Sequence, residues 1–149
     1  MGTYTNLLYH IVFGTKCREP LITNDVQDEL YSYLGGIISG EKGIPMEIGG
    51  VSDHVHILAK FSPNISVSDM LQKVKGNSSK WAKQRFDRLG EFHWQVGFGG
   101  FSVSESQVVK VQRYIRGQKE HHKKRSFKEE LVQLLEKNGI EYDDRYLFE

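Results

Sequence analysis

Residues 44–61 read IPMEIGGVSDHVHILAKF, two apolar runs, 44–51 and 54–61, parted by Ser52 and Asp53. Two strand-length runs around a short polar pair predict a β-hairpin. Side chains alternate across a strand, so His54 and His56 share one face, while Val55, Ile57 and Ala59 share the other and can fill a core. Two adjacent imidazoles suit a divalent metal. Two singly hydrogen-bonded histidines on a wet sheet face are the plain alternative, and the pair alone leaves both open.

Upstream of the hairpin, residues 4–15 (YTNLLYHIVFGT) are rich in aromatic and β-branched types and predict a first strand. Asn24 with Gln27 resembles a capping box. Val26, Leu30, Tyr33, Leu34, Ile37 and Ile38 then recur at helical spacing until the Gly40–Gly43 region. Downstream, Ser66 with Asp69 opens a second helix, with Val67, Met70, Leu71, Val74, Ser78 and Trp81 inward and Gly76 as a weak point. Residues 92–103 predict one or two strands with a bulge or bend. Ser104 with Gln107 caps a third helix to about Lys124; Ser126 with Glu129 caps a fourth, which Gly139 ends.

The order β-α-β-β-α-β predicts an α+β, ferredoxin-like (split βαβ) antiparallel sheet with two helices on one face. A C-terminal helix and a further capping helix follow. No repeat or linker breaks the chain, so residues 1–149 are expected to form a single domain.

Composition narrows the function classes. The 149 residues are 38% hydrophobic and 26% charged, which suits a globular chain able to build a core. The single cysteine, Cys17, excludes an internal disulfide and a cysteine-rich zinc framework, and is expected to be a buried or edge residue without a role. No apolar run approaches ~18 residues, which implies no membrane partner and a cytoplasmic protein. The net charge of +1 conceals its distribution: fourteen of the twenty lysines and arginines fall in residues 72–88 and 110–128. Two basic segments in a near-neutral chain point to a polyanion or to the solvated faces of two helices.

The third helix carries Tyr114 and Gln118, four residues apart and so on one face. Val108, Val111 and Ile115 form the neighbouring apolar stripe, and Arg113, Arg116 and Lys119 surround the tyrosine. His54-Val55-His56, the later Tyr114-Ile115-x-x-Gln118, and Glu120-His121-His122 together resemble the single-tyrosine HUH-motif transposases of the smallest bacterial insertion sequences, the single-strand DNA transposases. The opening Tyr9-His10-Ile11-Val12-Phe13, Gly49-x-x-x-Asp53 before the histidines, Lys75-Gly76-x-Ser78-Ser79, FGGFSVS at 98–104 and the tail from Gly139 to Leu147 share that look, so the resemblance spans nearly the whole chain. Gly117 departs from it, standing where a polar residue is expected.

That resemblance implies that His54, His56 and Gln118 bind one divalent cation, Mg²⁺ or Mn²⁺, and that Tyr114 is the nucleophile. The tyrosine would expel a 3′-hydroxyl and leave a 5′-phosphotyrosine. It also implies single-stranded DNA with hairpin ends as substrate, and a homodimer in which active sites are shared between subunits. Lys73, Lys75, Lys80 and Lys83 would then grip hairpin phosphates, with Arg113 and Arg116 further DNA contacts. Asp53 is a candidate for orienting an imidazole, or a plain turn residue. His121 or His122 could help Tyr114, whose ordinary pKa is near 10, to lose its proton, or could simply meet phosphate. A metal-dependent nuclease using water, and a non-catalytic single-strand nucleic-acid binder, are the competing readings; the second has no need of His54, His56, Tyr114 and Gln118 together.

Overall fold

The computed structural model describes residues 1–148. In chain order its elements are β1 (Leu7–Gly14), α1 (Asn24–Gly40), β2 (Ile44–Val51), β3 (His54–Phe61), α2 (Val67–Arg85), β4 (Gly99–Ser102), α3 (Val108–Arg116), α4 (Gln118–His121) and α5 (Phe127–Lys137). The strands form one antiparallel sheet in the order β2-β3-β1-β4. Each βαβ crossover therefore skips one strand, as the split βαβ arrangement requires. The hairpin strands begin and end where the two apolar runs do.

Alternation along the strands assigns the two faces of the sheet. Ile11 and Phe13 of β1 with Val55, Ile57, Ala59 and Phe61 of β3 pack against Val26, Leu30, Leu34 and Ile38 of α1 and Met70, Leu71, Val74 and Ala82 of α2. The opposite residues face a second helical layer. Leu8 and Leu58 meet Val108 and Ile115 of α3, while Val12 and Phe101 meet Phe127, Leu131 and Leu135 of α5. His10, His54 and His56 lie on this second face, roofed by α3 to α5.

Local chemistry sets the boundaries. Ser66 Oγ accepts the Asp69 amide at 3.0 Å, and Ser126 Oγ accepts the Glu129 amide at 3.2 Å, so both expected caps form. Gly139 adopts φ +68 after α5, where the Ile140 amide reaches back to the Leu135 carbonyl. Gly76 sits in an unbroken α2, on a side where an added Cβ meets nothing.

Five local expectations change. The first strand covers only residues 7–14 of the 4–15 run. The N-cap of α1 is Thr23 rather than Asn24, and the Thr23 hydroxyl turns to the Asp25 carboxylate. Of residues 92–103 only Gly99–Ser102 is a strand; Trp94 makes a single bridge to Thr15, and its indole N–H donates to Ser78 Oγ at 2.9 Å. The third helix is split at Gly117, and Ser104 caps nothing because its hydroxyl pairs with Ser106. Cys17 is neither buried nor regular; it is exposed, with φ +57, in the turn after β1.

Candidate nucleophile and metal cluster

His54 and His56 project from alternate positions of β3 into the layer under α5, and neither is exposed to solvent. Their outer ring nitrogens are both held. His54 Nδ1 lies 2.7 Å from Asp53 Oδ1, and His56 Nδ1 lies 2.8 Å from His10 Nε2. Such contacts fix ring orientation and present the two Nε2 atoms to a common point. The Phe127 ring stacks flat on His54, with centroids 4.0 Å apart, and closes that side.

At the common point sits a residue that local sequence pattern did not single out. Glu130 of α5 is 1% exposed, and its Oε1 lies 3.1 Å from His54 Nε2, 3.0 Å from His56 Nε2 and 3.0 Å from His122 Nε2. Its Oε2 accepts hydrogen bonds from Gln118 Nε2 at 2.8 Å and from the Tyr114 hydroxyl. The signal was present in the pattern of α5. Glu130 falls three residues after Phe127 and beside Leu131, so it is an acid on the apolar stripe, where a solvated residue does not belong. His10 was similarly readable, lying between Leu8 and Val12 on the inward positions of β1.

The break at Gly117 leaves Tyr114 and Gln118 on the same side. Gln118 is 1% exposed and its Oε1 lies 3.1 Å from His54 Nε2. Tyr114 is half-buried, its ring 5.7 Å from that of His56 and 6.0 Å from that of His10, centroid to centroid. Asp53, His54, His56, Tyr114 and Gln118 of the one chain are thus brought together. His121 packs its ring on Tyr114 at 4.8 Å, whereas His122 is the histidine that reaches the cluster.

Charge follows geometry. Burial alone would raise the Glu130 pKa, but hydrogen bonds from His122, His54 and His56 hold it well below the usual carboxylate range. Burial works against protonation of His54, yet Asp53 and Glu130 outweigh it and its pKa rises. Burial dominates at His56, which is lowered, and at His10, which is pushed down to about 3 with His56 adding to the effect. Tyr114 is raised, first by burial and then by the Glu130 carboxylate. As arranged, the tyrosine is held protonated. The donor set, imidazole nitrogens with carboxylate and amide oxygens, fits a divalent cation of the Mn²⁺ type better than Mg²⁺ alone, and His54, His122 and Glu130 offer ligand atoms all within 4.8 Å of one another.

Residues 3–118 match the family model described as "Transposase IS200 like". The chain belongs to the IS200-like transposase family. The transposase for insertion sequence element IS200 of Salmonella typhimurium is 30% identical over 127 residues, 81% of this chain and 82% of that protein. The ISDra2 transposase TnpA of Deinococcus radiodurans is 28% identical over 124 residues, 78% of this chain and 87% of the relative. A crystal structure of a candidate transposase from Deinococcus radiodurans superposes with a TM-score of 0.64 at 25% identity, covering 79% of this chain and 95% of that one. The REP-associated tyrosine transposase bound to a REP hairpin shares the fold at 14% identity, with a TM-score of 0.61 over 82% of this chain and 74% of that one. No helix among the described residues is long and apolar enough to cross a membrane.

In this IS200-like transposase the two basic segments part company. Lys73, Lys75, Lys80 and Lys83 ride on α2, across the sheet from the histidines. Lys73 pairs with Glu41 at 3.0 Å. Lys75 is spent on structure: its ammonium donates to the carbonyls of Gln95 and Gly97 at 2.5 and 2.6 Å, and burial lowers its pKa to about 8. Arg113 is exposed beside Tyr114, and Arg116 pairs with Glu47 at 2.9 Å. The basic residues nearest the cluster are others. A cleft of about 650 Å³ is lined by Arg18, Lys119, Lys123 and Arg125 and reaches Asp53 and His122.

Proposed function

We propose that this transposase cuts and rejoins single-stranded DNA at hairpin-bearing element ends through a 5′-phosphotyrosine on Tyr114. A divalent cation, Mg²⁺ or Mn²⁺, would be held by His54, His56 and Gln118. The observation that carries the reading is the convergence of the Tyr114 hydroxyl, Gln118 and the Nε2 atoms of both histidines on one carboxylate, which puts nucleophile and metal donors within one phosphate group's reach.

The Tyr114 oxygen forms a bond to phosphorus as the bond from phosphorus to the 3′-oxygen breaks. The tyrosine gives up its proton and the departing 3′-oxygen takes one up to leave as a hydroxyl, so the step is proton-neutral; Glu130 Oε2, bonded to the hydroxyl, orients it. The new phosphotyrosine is still a phosphodiester, so a second 3′-hydroxyl can reverse the step without external energy. A bound cation supplies withdrawal of charge from the scissile phosphate. Asp53 and His10 keep the imidazoles aimed, and Phe127 and Leu131 exclude water from the cluster. Arg18, Lys119, Lys123 and Arg125 would guide the strand to it through the cleft, with Lys73, Lys80 and Lys83 of α2 on the hairpin and Lys75 bracing the Gln95–Gly97 loop beside them.

The enzyme would act as a homodimer, as the resemblance implies. Mixing Tyr114→Phe with a His54→Ala, His56→Ala protein separates the two ways of building its sites. With active sites shared between subunits, the mixture is expected to recover cleavage; no recovery would mean that Tyr114 acts with its own histidines.

The test of the chemistry uses end-labelled hairpin-forming single strands from the DNA flanking the gene, with Mn²⁺ or Mg²⁺. An SDS-resistant adduct on the 5′-phosphate end created by the break, lost in Tyr114→Phe, is the expected result. Cleavage that persists without Tyr114 would mean a nuclease that uses water. Binding without any cleavage would mean a non-catalytic binder.

A further inference from the structure

We infer that Glu130 is itself a ligand of the cation, so that α5 adds a carboxylate to the donor set. This rests on the proposal that the cluster holds a metal. It extends the donor set beyond the stretch matched to the family, which ends at residue 118, to a helix that lies outside it.

Three imidazole nitrogens, from His54, His56 and His122, surround the single oxygen Oε1 at 3.0–3.1 Å. A carboxylate oxygen has two lone pairs, so three N–H donors exceed what it can accept. The crowding resolves if a cation occupies the centre and the imidazoles turn lone pairs to it. Each of these nitrogens lies from Oε1 at about the 3.0 Å that separates adjacent donors on an ion with bonds of about 2.1 Å, and His54, His122 and Glu130 have ligand atoms all within 4.8 Å of one another. Both β3 histidines already have their outer nitrogens held by Asp53 and His10, the usual support of a ligating imidazole. Two imidazoles and a carboxylate on one side of an ion leave its other positions for oxygen ligands such as phosphate. Glu130 divides its work: Oε1 faces the histidines, while Oε2 faces Tyr114 and Gln118.

The alternative is that Glu130 merely fills the cluster and leaves when the ion arrives, and the two ideas predict opposite signs. Mn²⁺ binding to the full chain would be measured by calorimetry and electron paramagnetic resonance, with circular dichroism as a control for folding. A ligand predicts that Glu130→Gln weakens Mn²⁺ binding at least about tenfold. Unchanged or tighter binding overturns the inference, because a competitor would have been removed. A second variant works even if Glu130→Gln folds poorly. In a Cys17→Ser background, Glu130→Cys is expected to give a thiolate-to-Cd²⁺ charge-transfer band, and bound Cd²⁺ without that band overturns the inference. Absence of any Mn²⁺ binding by the unmodified protein would instead sink the metal reading as a whole.

Discussion

Asp53 and His10 each hold the outer nitrogen of one imidazole, and neither reaches the centre of the cluster. Removing such a support typically costs 10–100-fold in metal affinity. Asp53→Ala is therefore expected to weaken Mn²⁺ binding by about that factor while His54 and His56 remain, and calorimetry checks it. The same cluster sets a pH dependence. His10 has its pKa pushed down to about 3 from the ordinary 6.5, so the unfolded chain binds more protons than the folded one between those values. His10 thus makes stability fall as pH drops from about 6.5 toward 3, although His54, shifted upward, works in the opposite sense. Thermal melts of His10→Gln, whose amide can still donate to His56 but does not titrate, should show a shallower decline. At this scale spacing put the histidine pair on one strand face and Tyr114 with Gln118 on one helix face, while their roles came from the family resemblance. For Glu130 the apolar stripe of α5 announces burial but not its partners, which lie on β3, α3 and α4, because local spacing does not encode contacts made across the fold.

At the scale of elements, the position of α3 depends on Gly49. A Cβ at residue 49 would lie 2.8 Å from the Ile115 carbonyl, and that backbone cannot rotate aside. Gly49→Ala should push α3 off the hairpin, lower the melting temperature and weaken Mn²⁺ binding together. A lower melting temperature with unchanged metal affinity would detach α3 from the site. The start of α5 is set by Ser126, whose loss as a cap costs about 1 kcal/mol; Ser126→Ala tests this by denaturant unfolding. The hairpin was legible to the residue because alternation and the polar pair Ser52-Asp53 agreed. Residues 92–103 misled because Phe92, Trp94 and Phe101 are buried from a segment that is mostly not strand, so apolar content there reports burial and not pairing. The split at Gly117 was foreshadowed by the glycine itself.

For the whole molecule, the sheet separates two basic regions that one-dimensional charge counting could not tell apart. The cleft residues Arg18, Lys119, Lys123 and Arg125 open onto the cluster, and the α2 lysines do not. Lys123→Glu with Arg125→Glu should therefore impair cleavage and reduce the salt dependence of strand binding by about one unit of slope for each phosphate that is no longer neutralised. Lys80→Glu is expected to act on hairpin affinity and leave Mn²⁺ binding unchanged; titrations at several salt concentrations distinguish them. His54, His56, Gln118 and Glu130 are 0–1% exposed, whereas Tyr114 is half-buried and lines a surface pocket with His10, Lys110 and Leu134.

The proposed function depends on Tyr114 becoming covalently joined to DNA. The most direct measurement is peptide mass spectrometry of the protein after incubation with Mn²⁺ and a hairpin-bearing single strand, followed by nuclease trimming. The account predicts a nucleotide mass on the peptide carrying Tyr114, absent from the Tyr114→Phe protein. Cleaved DNA with an unmodified Tyr114 peptide, or the mass on another side chain, would contradict it.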